Sequence, residues 1–180
     1  MKTHDDATAM LRAWDAPSLG QSALREAFLG FLAARPDATK RSCLPGHITA
    51  SAVVLSADRT QTLLTLHPRV KRWVQLGGHC EKKDATISAA ALREATEESG
   101  IEGLVIDPDP IHLDVHPVTC SLGAPTRHFD VLFRVLAPQG AVPAISSESD
   151  DLRFWPVDAL PAETGDLTNA VRAALARSVP

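Results

Sequence analysis

Two adjacent glycines, Gly77 and Gly78, followed by a short helix with glutamates at 94, 97 and 98, constrain this chain more than any other feature. At about 3.6 residues per turn, those carboxylates fall within an arc of roughly 100°. Like charges three and four residues apart repel, so a helix built only for its own stability interleaves lysines. A bound Mg²⁺ or Mn²⁺ relieves the repulsion, because hard cations prefer carboxylate oxygens and water. Arg93, four residues before Glu97, adds a positive partner. Three glutamates alone read as a solvated acidic face. With a glycine turn upstream and Gly100 closing the helix, they read as a cation site.

The rest of the pattern alternates helical and extended segments. Leu11, Trp14, Leu24, Phe28, Phe31 and Leu32 recur at helical spacing over 5–34, with Pro17 and Gly20 splitting the stretch and Pro36 ending it. His47–Ala57, Leu63–His67 and Trp73–Leu76 read as strands, and the glycine turn leads into a helix of about 85–99. Leu104–Ile106 and Ile111–Val118 look extended, with Pro108 and Pro110 forcing a break between them. Phe129, Val131, Phe133 and Val135 alternate with polar neighbours, and only Leu132 spoils the period of two. Leu152–Trp155 reads as a short strand, Val157–Leu160 as a turn of helix and Thr168–Ala176 as a last helix, while 121–126 and 137–149 read as loops. These elements predict an α+β fold, a mixed sheet with helices on both sides.

At 180 residues the chain has room for one domain with a core. Its 44% apolar and 22% charged residues are ordinary for a globular protein. A net charge of −4 argues against nucleic acid as a partner. It leaves an anionic small molecule open, since bound cations invert the local field. Cys43, Cys80 and Cys120 show no CxxC spacing and read as reduced thiols of a cytoplasmic protein. Cys80, beside the glycines, has no assignable histidine partner and reads as a bystander. His67, His79, His116 and His128 show no zinc-type spacing. The polar start at Met1–Asp6 lacks a signal core, and no run of 18 apolar residues predicts a membrane span.

The run Arg93-Glu94-Ala95-Thr96-Glu97-Glu98-Ser99-Gly100-Ile101 resembles, without a gap, the second half of the signature of the Nudix (MutT-like) hydrolases. The first half departs: from Gly78 to Arg93 the chain is one residue longer than the pattern. The signature's first glutamate falls on Asp84 counting forward or Ala85 counting back, and Asp84 is the natural surrogate acid or helix N-cap. The resemblance extends over roughly residues 45–160. It implies a Nudix-type α/β/α sandwich over 41–180, preceded by an N-terminal helical extension over 1–40 that covers an edge or makes a homodimer.

The resemblance also implies a chemistry. Metal ligands fall on Glu94, Glu97, Glu98 and the carbonyl of Gly77, with Mg²⁺ (or Mn²⁺) as cofactor. Water attacks phosphorus and splits a P–O–P linkage in a small-molecule nucleoside diphosphate derivative. Glu97 or Glu98 is either base or ligand, and Glu148, with Asp150 behind it, is a further candidate base on a late loop. Arg93 either pairs the acidic cluster or touches phosphate. Lys71, Arg72, Trp73 and His79 are the candidate substrate contacts, each equally readable as turn or core residues. Nucleotide sugars, ADP-ribose, dinucleoside polyphosphates, NADH and damaged nucleotides all stay open as substrates. Two other readings share the fold: a silent nucleotide-sensing module, and an isopentenyl-diphosphate isomerase, whose cysteine–glutamate motifs are not found here.

Overall fold

The computed structural model describes residues 2–69, 71–119, 123–145, 149–162, 164 and 166–178. Two helices come first, α1 (Lys2–Ala13) and α2 (Leu19–Ala34), separated at Pro17 as expected. Ser18 caps α2, its hydroxyl accepting from the amide of Gln21, which satisfies one of the donors left over at a helix start.

The described residues then form a mixed sheet around β1 (His47–Leu55). The other strands are β2 (Gln61–His67), β3 (Arg72–Val74), β4 (Leu76–His79), β5 (Val105–Thr119), β6 (Pro125–Leu136) and β7 (Asp151–Pro156). Helix α3 (Ile87–Ser99) follows β4, and α4 (Leu167–Ala176) follows β7. Strand order is β3-β2-β1-β6-β5, with β4 also on β1 and β7 also on β2. β6 runs parallel to β1 along its whole length. On the other side β1 changes partner: Thr49–Ala52 pair with β4, and Val54 and Leu55 pair with β2.

That change of partner corrects two expectations. The strand expected at Trp73–Leu76 is two strands flanking Gln75, β3 on β2 and β4 on β1. Gly77 and Gly78 therefore lie inside a strand, opposite Ser51 and Ala50, and do not form a turn. β1 ends at Leu55 rather than Ala57, because Asp58 gathers the turn by accepting from the Thr60 amide at 3.1 Å. Pro108 and Pro110 do not break the chain either. β5 continues through them, absorbing the missing donors in register shifts between Ile106 and Pro110 and between Pro110 and His112.

Alternation along β1 sorts the core. Ile48 and Ala50 pack with α1, α2 and α3 through Leu11, Phe28 and Ala90. Ala52 and Val54 meet Ala95 of α3, while Val53 and Leu55 face Val171 and Ala174 of α4. Helices thus cover both faces, giving the expected α/β/α sandwich. Leu132, which breaks the polar alternation of β6, is buried in the α4 layer. Towards the start of β1 that second face becomes polar, with His47, Thr49 and Ser51 all buried.

Candidate active site

Thr86 caps α3 by accepting from the Ala89 amide at 3.0 Å, and Gly100 ends it in the left-handed conformation at φ 63°. The helix therefore starts at Ile87 rather than 85, and Asp84 is not its cap. Its buried face is mostly small: Ala90, Ala91, Ala95 and Ser99. Small residues let α3 lie close against β1 and β4. The glycines of β4 complete the approach. A Cβ on Gly78 would stand 2.7 Å from Glu94 Cδ and Oε1. A Cβ on Gly77, at φ +156°, would stand 2.2 Å from Ser51 Oγ and 2.6 Å from Ser51 Cα. One glycine makes room for the neighbouring strand, the other for a carboxylate.

Arg93 organises what lies above. Its Nε donates to Asp84 Oδ1 at 3.0 Å, and Nη2 donates to Asp84 Oδ2 at 3.0 Å and to the His79 carbonyl at 2.9 Å. Nη1 lies 3.0 Å from both Glu94 Oε1 and Glu97 Oε2. All three nitrogens are engaged, so Arg93 is a positioning residue here. Asp84 supplies the paired carboxylate despite the extra residue before it, and it also accepts from the Glu81 amide at 2.7 Å. Burial pushes the Asp84 carboxyl up, but Arg93 and the Glu81 amide outweigh it and leave the group below its ordinary range. Asp84 first, then Glu94 and Glu97, raise the Arg93 guanidinium above its ordinary value. The Glu94 side chain is 15% exposed and that of Glu97 53%, with Glu97 also reached by Lys83 at 3.4 Å.

Glu94, Glu97 and Glu98 therefore share one helix next to the Gly77–Gly78 segment. Carboxylates and backbone carbonyls are hard oxygen donors of the kind divalent cations take, and Gly78 leaves the room that the Glu94 carboxylate occupies. The oxygen chemistry suits such a cation, while among the described residues Glu94, Glu97 and Glu98 do not converge as a three-ligand group. Glu94 and Glu97 are turned to Arg93 rather than to a common point.

The remaining candidates scatter. Glu148 lies outside the described residues, as does Cys120. Lys71 donates to Asp150 Oδ2 at 2.6 Å. Trp73 packs edge-on to Trp155 at 5.1 Å, beneath Arg153, in the layer that holds α4. Those contacts tie both residues to β7 and the segment before it. Arg72 is exposed at the start of β3. Cys80 is a bystander in this geometry: burial, then Asp84, pushes its thiol up to about 12.

Sequence spacing missed the polar face opposite α3. Asp130 is buried there and accepts from Thr49 Oγ1 at 2.8 Å, Ser51 Oγ at 2.9 Å and Gln75 Nε2 at 3.1 Å. Burial raises its carboxyl. Beside it stand His47, His79 and His128. Among the described residues they are the group of three or more ligating side chains whose donor atoms all lie within 4.8 Å of one another. Burial lowers His79 to about 4 and His128 to about 3. The available signal was register: polar His47, Thr49 and Ser51 at period two on an otherwise apolar strand, facing His128 and Asp130 once β1 and β6 pair in parallel.

The model of the NUDIX domain matches residues 45–175. The chain belongs to the NUDIX family. The members of this family generally cleave pyrophosphate bonds of nucleoside diphosphate derivatives, and this chain is a pyrophosphohydrolase of that type. Among solved structures, the MutT protein of Methanosarcina mazei Go1 is 18% identical with a TM-score of 0.56, covering 75% of this chain and 99% of its own. A C. elegans Ap4A hydrolase binary complex is 21% identical with a TM-score of 0.53, covering 72% and 95%. The NUDIX domain of Shewanella oneidensis NrtR, complexed with ADP ribose, is 19% identical with a TM-score of 0.51, covering 81% and 97%. At these identities the likeness is one of fold. No curated protein matches the chain in sequence. Among the described residues, no helix is long and apolar enough to cross a membrane.

Proposed function

We propose that this NUDIX chain is a divalent-metal-dependent, cytoplasmic hydrolase that splits the P–O–P linkage of a nucleoside diphosphate joined to another moiety. The observation that carries the proposal is the clearance of Gly78 beneath Glu94, with Arg93 holding Glu94 and Glu97 in place. Glu94, Glu97, Glu98 and the Gly77 carbonyl would hold Mg²⁺ or Mn²⁺. When bound, such ions neutralise charge on diphosphate oxygens and on the leaving phosphate. Glu97, the exposed one of the three glutamates on α3, is suited to take a proton from the attacking water, with Glu148 as the other candidate base. Arg72 remains a substrate contact of this reading, and His79, whose ring packs against His47 on the face away from α3, joins it only if the substrate reaches that face. Lys71 and Trp73 join them only if the substrate displaces their contacts with Asp150 and Trp155. Residues 41–180 form the hydrolase domain and 1–40 its helical extension.

The Asp84–Arg93 pair supports an enzyme over a silent sensing module. The longer Gly78–Arg93 segment, the one departure from the family signature, still delivers a carboxylate to Arg93. The test is product formation across diphosphate-linked nucleotides with Mg²⁺ or Mn²⁺, alongside Glu97→Gln and Glu98→Gln. One panel member should be hydrolysed, with turnover lowered at least ~100-fold in each variant. Undiminished turnover in both variants sinks the site. Tight binding without turnover by the unsubstituted protein sinks the enzymatic reading.

A further inference from the structure

The proposed chemistry uses the α3 side of β4, and the side chain of His79 points to the other side. The geometry points to a second metal site there: we infer that His47, His79 and His128 bind a zinc-class transition ion through three imidazole nitrogens, with a fourth position open. The three ring centroids form a nearly equilateral triangle, 5.0 Å for His47–His79, 5.0 Å for His47–His128 and 5.2 Å for His79–His128. A tetrahedral ion with Zn–N bonds of about 2.0–2.1 Å holds imidazole centroids roughly 5 Å apart. His47 Nε2 and His79 Nε2 stand 3.1 Å apart in a hydrogen bond that a bound ion would replace, with the His79 proton moving to Nδ1, near the edge of about 3.4 Å that the same tetrahedron requires. One donor atom from each of the three lies within 4.8 Å of the other two.

Three further observations support the site. His47 Nδ1 lies 3.3 Å from the Cys43 carbonyl, which can only accept. That contact places the proton on Nδ1 and leaves the Nε2 lone pair facing the other rings, the arrangement that orients metal-binding histidines. His128 Nε2 is buried and has no hydrogen-bond partner among the described residues. A buried polar nitrogen in that state is costly unless something occupies the space it faces. The three rings also come from three paired strands. His47 and His128 are register partners on β1 and β6, and His79 on β4 is paired with Thr49. The sheet therefore sets their positions before any ion arrives. Half-buried His79 and His128 leave the group reachable, while fully buried His47 anchors it. Three imidazoles suit Zn²⁺, Co²⁺, Ni²⁺ or Cu²⁺ and not Mg²⁺, which separates this site chemically from the carboxylates of α3.

The test is titration of the metal-free full chain with Co²⁺, read in the visible spectrum, followed by competition with Zn²⁺. The expected result is an intense tetrahedral-type band that saturates at one equivalent, is displaced by Zn²⁺ and survives excess Mg²⁺. His79→Ala and His128→Ala should each remove the band and weaken Zn²⁺ binding at least about 100-fold. Glu98→Gln should keep the band, which assigns it to the histidines. Thermal unfolding with and without Zn²⁺ guards against misfolded variants: Zn²⁺ should raise the midpoint of the unsubstituted chain and of Glu98→Gln, and leave the folded histidine variants unmoved. No band in the unsubstituted chain, a band that persists in His128→Ala, or one lost in Glu98→Gln would overturn the assignment. None of these readouts requires turnover, so failure of the hydrolase proposal leaves the metal test intact.

Discussion

Arg93 connects four groups that are remote in sequence or neighbours only on the helix: Asp84, the His79 carbonyl, Glu94 and Glu97. The side chains of Asp84 and Arg93 are 4% and 12% exposed, so removing one charge strands the other in a dry place. Asp84→Asn should therefore lower stability by about 3 kcal/mol at pH 7, measured by urea unfolding. Because the folded Asp84 carboxyl lies below its ordinary value, its contribution is complete above about pH 4 and fades as pH falls through the lower folded value. The stability gap between wild type and Asp84→Asn should close on acidification below pH 4. A gap that stays constant would mean the pair is not what Asp84 contributes. At Cys80, a thiol pushed up to about 12 should react far more slowly with a disulfide reagent at pH 8 in the folded protein than in urea, and equal rates would contradict its burial. The pairing of Arg93 with acids was legible from residue order alone. The histidine trio was not, because 47, 79 and 128 become neighbours only through strand register.

At the scale of elements, the Gly77–Gly78 pair shows where sequence reading ran out. Two glycines mark either a turn or a close approach, and here they serve close approach within β4, against Ser51 on one side and Glu94 on the other. The two positions should respond differently to alanine. At Gly78 the new methyl meets the far end of a side chain, so Gly78→Ala should keep its thermal midpoint near wild type while kcat falls at least ~10-fold as Glu94 is displaced. At Gly77 the methyl meets backbone of β1, at a φ of +156°, so Gly77→Ala should cost about 2 kcal/mol of stability. Equal thermal losses in both variants would contradict the separate roles. The helix boundaries were nearly legible, since caps and periodicity are local signals. The continuity of β5 through Pro108 and Pro110 was not, since only the partner strand shows where register shifts absorb a proline.

The whole molecule is an α/β/α sandwich in which α1 and α2 share a core with α3 through Leu11, Phe28, Leu32, Ile87 and Ala90. Their periodicity was visible, while their burial against the signature helix depended on long-range packing. Removing residues 2–34 would expose that apolar face, so the truncated chain should lose its cooperative thermal transition. A sharp transition near the full-length midpoint would instead make the helices a dispensable extension. Whether carboxylates on α3 direct water to phosphorus is decided by running the reaction in H₂¹⁸O with Mg²⁺ and the best panel substrate. One ¹⁸O should appear in a phosphate-bearing product, with at least ~100-fold less labelled product for Glu98→Gln. Products free of label, or labelling undiminished by Glu98→Gln, would contradict that role.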